Sequence, residues 1–515
     1  MNDRASLDEV LLPEYGRFNP RFLGLTFLFD CPDDYNVVRA AMTGPGGLRS
    51  PKAAETGLHE IALLSVFDHE YRHYLDFLLS PYSTTVFRMR LQALINGSQA
   101  LSAARDLPGD VLPLPLTRWA ILPEAERRSH EGDWSQLFGR QVGAVQLPSR
   151  SKSDLLTNLA AGVTSIGHRL TQDQFEAHTD AAVRAYLRIS QLTEGFDVPA
   201  VLSHLRPPYV HEASALSAQL AAILVAQGEL EFSRFANLLM NSTAPQARAW
   251  QTCYTLARQL SADEDSVSVV RRIPSITTWA LFGNLEMDGA AGCPTSRLSR
   301  LMVAVDATPE DPRWRCDMDD PSSIDRMWSH WDETTGLRPW AESLARHADV
   351  TRRSIDQYEN VRAAWAGDPE MVDAVIAVLR QLIGHQGIAL STLTEDLRQI
   401  VDPFRYVQIS EPTMLLPDIR FEFRGFGMDP AGARAGRWTH RRSASGDEIT
   451  TGVALSGGPS GGEEGDTLLD QKLMLEQMME WCDLAFSDLP VPDHIHTSAR
   501  RGIEDLTGKR TVQLF

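Results

Sequence analysis

Apolar residues between Glu55 and Leu79 recur at three- and four-residue intervals, with Leu58, Ile61 and Leu64 followed by Leu75, Leu78 and Leu79. That period predicts a helix that stops before Pro81. A second helix is expected over "TTVFRMRLQALINGSQALSAARDL". Prolines then break the pattern in "LPGDVLPLPLTRWAILPEAE", which reads as extended or looped. From about Ser153 the helical period returns, in "QDQFEAHTDAAVRAYLRISQLT", "HEASALSAQLAAILVAQ", "ELEFSRFANLLMNS" and "QARAWQTCYTLARQL". The second of these is entered through Pro207-Pro208, as suits a first helical turn. Ala262 to Gly336 is less regular, with short helices around Pro274, Pro294, Pro309 and Pro312, and three more helices are expected between Pro339 and Val401. A last helix, "LLDQKLMLEQMMEWCDLAF", precedes a polar tail.

Strand signal is confined to "PRFLGLTFLFD" and "IRFEFRGFGM". Asp429 to Asp466, rich in Gly, Ser, Arg and Asp, reads as a flexible excursion. The whole predicts an α+β protein, predominantly α-helical, with a small N-terminal strand region and a larger helical body. Divisions are expected at residues 1–260, 261–424 (mainly helical), 425–466 (the excursion) and 467–515 (C-terminal helix and tail).

Composition narrows the function classes. Of 515 residues, 43% are hydrophobic and 23% charged, ordinary usage for a soluble globular chain. No uninterrupted apolar run approaches the roughly 20 residues of a membrane span. The start, "MNDRASLDEVLLPEYG", has acids and a proline where a secretory leader needs a basic start and an apolar core. A cytoplasmic protein without a membrane partner is therefore expected. The formal net charge of −19 disfavours nucleic acid as a partner, because phosphate contacts need clustered Lys and Arg. Five cysteines, odd in number and without a CxxC pair, fit neither a zinc ribbon nor a disulfide framework.

One apolar run carries chemistry. "VFDHEYRHYLDFLL", Val66 to Leu79, contains His69, Glu70 and His73. Positions four apart share a helix face, about 6 Å apart along the axis, so the two imidazoles can converge on one tetrahedral zinc. Glu70 lies about 100° around from His69, where its carboxylate can reach a water held by the ion without binding the ion itself. Chance placement would give on the order of 0.02 such matches in a chain of this composition. His59 is about 15 Å away along a continuous helix, too far to share the ion. Asp76 is about 10 Å of rise from His69, which suits support of a ligand imidazole better than ligation.

"HEYRH" resembles the HExxH signature of the zincin superfamily of zinc metallopeptidases. The resemblance covers one helix, and it makes residues 1–260 a zincin-like metal-binding region. It implies His69 and His73 as zinc ligands, Glu70 as general base and a peptide or protein as substrate. Metzincins continue the motif with a glycine and a third histidine, whereas Asp76 and Leu79 stand here, so that branch does not fit. Gluzincins take a glutamate from a later helix. Glu212 is the first candidate for that role, in a first turn followed by Ala213, Ser214 and Ala215, whose small side chains permit close helix approach. His211 ranks next, then Glu176 and His178. Tyr209, His204 and Arg206 are candidate oxyanion donors if their segment lines the site. His494 and His496, in "DHIH", read as part of a solvated loop.

Two other classes compete with a zinc hydrolase. Glu70-x-x-His73 is half of a carboxylate-bridged di-iron oxidase or oxygenase site, but no second Glu-x-x-His follows. A binding or scaffold protein with an inactive zincin-like core is the other.

Overall fold

The computed structural model describes residues 16–29, 31–43, 58–105, 111–116, 172–194, 199–261, 265–364, 369–408, 417–424, 437–442, 448–454, 463–487 and 493–513. Strand β1 (Gly16–Asn19) turns sharply into β2 (Gly24–Phe29). Asn19 makes the turn: its side-chain oxygen accepts from Arg21 N–H at 3.0 Å and its carbonyl from Phe22 N–H at 3.1 Å. Gly24 is required next, because a Cβ there would sit 2.5 Å from the Asp418 carbonyl oxygen of the neighbouring strand.

β2 is buried along its whole length, as a central strand should be. It lies between β1 and β4 (Asp418–Arg424) in a five-stranded mixed sheet of order β1-β2-β4-β6-β5. β2 and β4 are parallel, with Phe27 opposite Phe421 and Phe29 opposite Phe423. These rings stack at 5.8–6.1 Å between centroids, and the same face meets Phe67 and Tyr35. Tyr35 belongs to α1 (Pro32–Thr43), a helix the hydrophobic pattern does not announce, and Phe67 to α2 (Leu58–Leu79). Strands β5 (Arg437–Arg442) and β6 (Glu448–Ala454) complete the sheet. The expectation of a flexible excursion over 429–466 is therefore corrected at these two segments: β6 is held by ladder pairing to β4, and β5 by pairing to β6.

Ser80 separates α2 from α3 (Pro81–Ala104). Its hydroxyl caps the new helix by accepting from Ser83 N–H at 3.0 Å and donates to the Leu281 carbonyl at 3.0 Å. Pro81 thus both stops one helix and starts the next, three residues before the expected start. The helical body continues with α4 (Gln172–Glu194), α5 (Pro207–Gln227), α6 (Glu229–Asn241), α7 (Pro245–Gln259), α8 (Ser266–Leu281), α9 (Pro294–Ala307), α10 (Pro321–Thr335), α11 (Trp340–Ala364) and α12 (Pro369–Glu395). The region from 265 is more regular than its prolines suggest. Pro274 lies inside α8, and Pro294 and Pro321 open helices from the position where their missing N–H costs nothing.

The protein is α+β and mostly helical, as the periodicity predicts. It divides into two compact units, each assembled from separated segments. The first comprises Met1–Thr85, Thr193–Thr351 and Gln381–Gly462; the second comprises Val86–Leu192, Arg352–Arg380 and Glu463–Phe515. These segments cut across the divisions at 260, 424 and 466 expected from the sequence. In the second unit β3 (Val111–Leu114) pairs in parallel with β7 (Arg510–Gln513), and Tyr186 of α4 donates to Asp483 of α13 (Glu463–Phe486) at 2.8 Å. The expected polar tail is corrected as well: it holds α14 (Asp493–Thr507), whose Ala499, Ile503 and Thr507 are buried at four-residue spacing, and then β7. Residues 55–57, the stretch beyond 116 expected to be extended, residues 153–171 expected to be helical and the Gly/Ser run at 455–462 lie outside the described residues.

α5 is apolar on almost every side and buried from Ala213 to Ile223, with α2, α7 and α8 among the helices packed on it. It and α12 are long and apolar enough to cross a membrane by length and composition, although no uninterrupted run in the sequence shows it; 67% of α5's apolar window is buried within the protein.

A buried charge pair joins α8, α9 and α10. Asp332 Oδ1 accepts from Trp279 Nε1 at 2.9 Å and Arg297 Nη2 at 3.1 Å, and Oδ2 accepts from Trp340 N–H at 2.7 Å. The Arg297 guanidinium lies 4.2 Å over the Trp279 ring. Burial dominates here and raises the Asp332 carboxyl to about 6, against the lowering effect of Arg297. Between its ordinary value of 3.8 and about 6 the folded protein holds a proton on Asp332 that the unfolded chain has lost. The proton-linked part of this group's stability is therefore full below pH 4 and is lost as pH rises through 6. Denaturant titrations across this range should show that negative slope in the wild type and a flatter dependence in Asp332→Asn.

Candidate metal centre

The three residues first in rank as ligands meet in space. His69 and His73 stand one turn apart on α2, with Nε2 atoms 3.2 Å apart and rings at 78°. Glu212, in the first turns of α5, closes the triangle: Oε2 is 3.3 Å from His69 Nε2 and Oε1 is 3.4 Å from His73 Nε2. Taking one donor atom from each residue, all three lie within 4.8 Å of one another. Donors bound about 2.0–2.1 Å from a tetrahedral zinc stand roughly 3.3–3.4 Å from each other. Each imidazole stands at about that separation from the other and from one of the two Glu212 oxygens, so the group suits one zinc-sized ion with the carboxylate shared between the histidines. His69 is buried, while the Glu212 side chain keeps 29% of its exposure, so the group is reachable from solvent. No second carboxylate-and-histidine group of this kind occurs among the described residues.

Electrostatics favour positive charge at the centre of the triangle. Burial opposes a charge on His73, but Glu212, with support from Glu70 and Asp76, outweighs it and lifts the imidazole to about 9. Burial likewise opposes ionisation of Glu212, yet the two imidazoles hold its carboxyl well below the usual range. A cation between these groups would replace the proton they now compete for.

Glu70 stands beside the triangle, outside it. Its Oε2 accepts from the Phe18 backbone N–H of β1, which leaves Oε1 without that restraint. The close approach depends on Gly16, where a Cβ would lie 3.0 Å from Val66 Cγ2 and 3.1 Å from Glu70 Cγ. Burial, the largest influence, raises the Glu70 carboxyl above its ordinary value; the histidines and the Phe18 N–H pull the other way. Glu70 is thus an ionisable group held in place by a strand and placed next to the ligands without joining them.

The other candidates are turned elsewhere. His211 Nε2 lies 3.0 Å from Ser83 Oγ, and burial pushes its imidazole down to about 4. Asp76 Oδ1 stands 2.9 Å from Arg72 Nη2 and reaches His73 through its charge, outside the ligand triangle. His178 is buried in the second unit, 3.1 Å from Asn96 Oδ1. His204 lies 3.0 Å from Thr252 Oγ1, Arg206 is the exposed N-cap of α5, and Tyr209 is half-buried in its first turn. His494 and His496 fall on the first turn of α14, not in a loop, and their side chains lie outside the described residues, as does that of Glu176. Phe18 and Gly16 are the contributors that sequence reading misses, because nothing local marks a strand that will pack on a helix about 50 positions later.

No family model matches this chain, and neither a curated protein nor a solved structure matches it.

Proposed function

We propose that the protein is a zinc-dependent hydrolase, acting as a metallopeptidase. The observation that carries this reading is the triangle of His69 Nε2, His73 Nε2 and the Glu212 carboxylate with Glu70 alongside. His69, His73 and Glu212 would hold the zinc. Bound there, zinc would supply Lewis acidity and make water a competent nucleophile near neutral pH. Glu70 takes the water's proton on Oε1 and returns it to the leaving amine, while Phe18 N–H keeps its other oxygen fixed. β1 is an edge strand among the described residues, and its outward groups other than Phe18 N–H, which Glu70 takes, suit pairing with an extended chain. That supports a peptide or protein as the substrate, and the net charge of −19 disfavours acidic ones.

Metal analysis tests the reading. Protein purified without chelator or polyhistidine tag should carry one zinc per chain. His69→Ala and His73→Ala should each lose it, because two protein ligands hold the ion poorly. Wild-type stoichiometry in both variants would end the assignment, and two irons per chain would replace it with the oxidase class.

A further inference from the structure

Arg72 occupies one of the two variable positions inside the motif, and it is fully buried. Its Nε donates to Ser214 Oγ at 2.9 Å, its Nη2 to Thr278 Oγ1 at 2.5 Å and its Nη1 to the Ile400 carbonyl. Nη2 also stands 2.9 Å from Asp76 Oδ1. One guanidinium therefore joins α2 to α5, to α8 and to the one-turn helix Arg398–Val401. Burying this charge carries a large desolvation cost, and apolar residues of similar volume commonly serve a core as well or better. The return on a buried ion pair has to be sought in geometry.

The geometry points at the ligands. Arg72 immediately precedes His73, and Ser214 follows Glu212 by two residues on α5. A second buried tie, Gln219 Nε2 to Ser65 Oγ at 3.1 Å, joins the same two helices farther along. As residue numbers fall from 72 to 65 on α2 they rise from 214 to 219 on α5, so the helices run antiparallel. Two ties so spaced fix both the rise and the rotation of α5 against α2. A contact made only by alanines and other small apolar residues would tolerate sliding, because it has no directional bond to break. Glu212 sits at the end of α5 where a slip would carry its carboxylate away from the imidazoles.

We propose that Arg72 is a positioning residue: through Ser214 it sets the register in which α5 presents Glu212 to His69 and His73. This rests on the metal-centre reading above. Cobalt(II) serves as the probe, since its visible d–d absorption reports coordination geometry and its titration reports affinity. Ser214→Ala removes one acceptor of Arg72 while leaving Asp76 and all three ligands in place. It should keep its circular dichroism, bind cobalt about 10-fold more weakly and show altered d–d bands, within the 10–100-fold range usual for groups behind a ligand. Arg72→Met/Asp76→Leu removes both charges together. It should bind cobalt at least as weakly as Ser214→Ala, with its fold checked by circular dichroism because Ser214, Thr278 and the Ile400 carbonyl lose their donor.

Ser214→Ala decides the matter even if the double variant fails to fold. Wild-type affinity and spectrum in Ser214→Ala would overturn the role of Arg72 and leave the metal centre standing. Wild-type protein that takes up no cobalt would overturn both.

Discussion

Glu70→Gln should retain its zinc and lose about 10²- to 10⁴-fold in kcat, the usual contribution of a positioned general base. The substitution is nearly isosteric. Its amide oxygen can still accept from Phe18 N–H, so the strand contact that holds the side chain survives. Glu70 also stands outside the triangle formed by His69, His73 and Glu212, so the ligand set is untouched. What disappears is the ability to accept a proton. The measurement is the release of new amino termini from a mixed peptide library, with zinc content determined on the same preparation. A variant that keeps both zinc and wild-type release would show that Glu70 is not the base. A wild-type protein with zinc and no release would favour the inactive binding protein over the peptidase.

The second large effect concerns stability. Asp332→Ala should cost about 3–5 kcal/mol, the range for breaking a buried ion pair by removing one partner. Three donors lose their acceptor at once: Arg297 Nη2, Trp279 Nε1 and the Trp340 N–H. Arg297 is fully buried and has no water to turn to. Against the 5–15 kcal/mol that typically holds a domain folded, such a loss would leave a marginal protein at 37 °C. Urea midpoints with unchanged slopes give the value. A cost below about 1 kcal/mol would mean that α8, α9 and α10 are held by their apolar contacts alone.

Parts of this architecture are legible in the sequence because they are local. His69, Glu70 and His73 declare themselves through helical spacing, which fixes their relative directions before any tertiary contact forms. Ser80–Pro81 marks a helix junction for the same reason. Glu212 is partly legible, because small residues after it permit close packing, but the choice between Glu212 and His211 turns on helix rotation. That rotation puts Glu212 on the imidazoles and His211 on Ser83. Remote pairing is not legible. β5 and β6 look like linker because they join the sheet only where β6 pairs with β4, and β7 looks like tail because its partner is β3, some 400 positions earlier. Nothing local marks Arg72 for burial; only the assembled core shows that it is buried among three other elements.

The parallel pairing of β2 with β4 also has a bearing on biosynthesis. Gly24 has Asp418 as its partner, so the strand that must be covered on both edges is made long before one of its covers. At about 5–20 residues per second, a ribosome takes roughly 20 to 80 s to travel from one to the other. During that interval "GLTFLF", an uncharged and strongly β-forming hexamer, has one edge open to other nascent chains. Chaperone capture of ribosome-bound chains shorter than about 420 residues, and its relief once β4 has emerged, is the behaviour this topology demands.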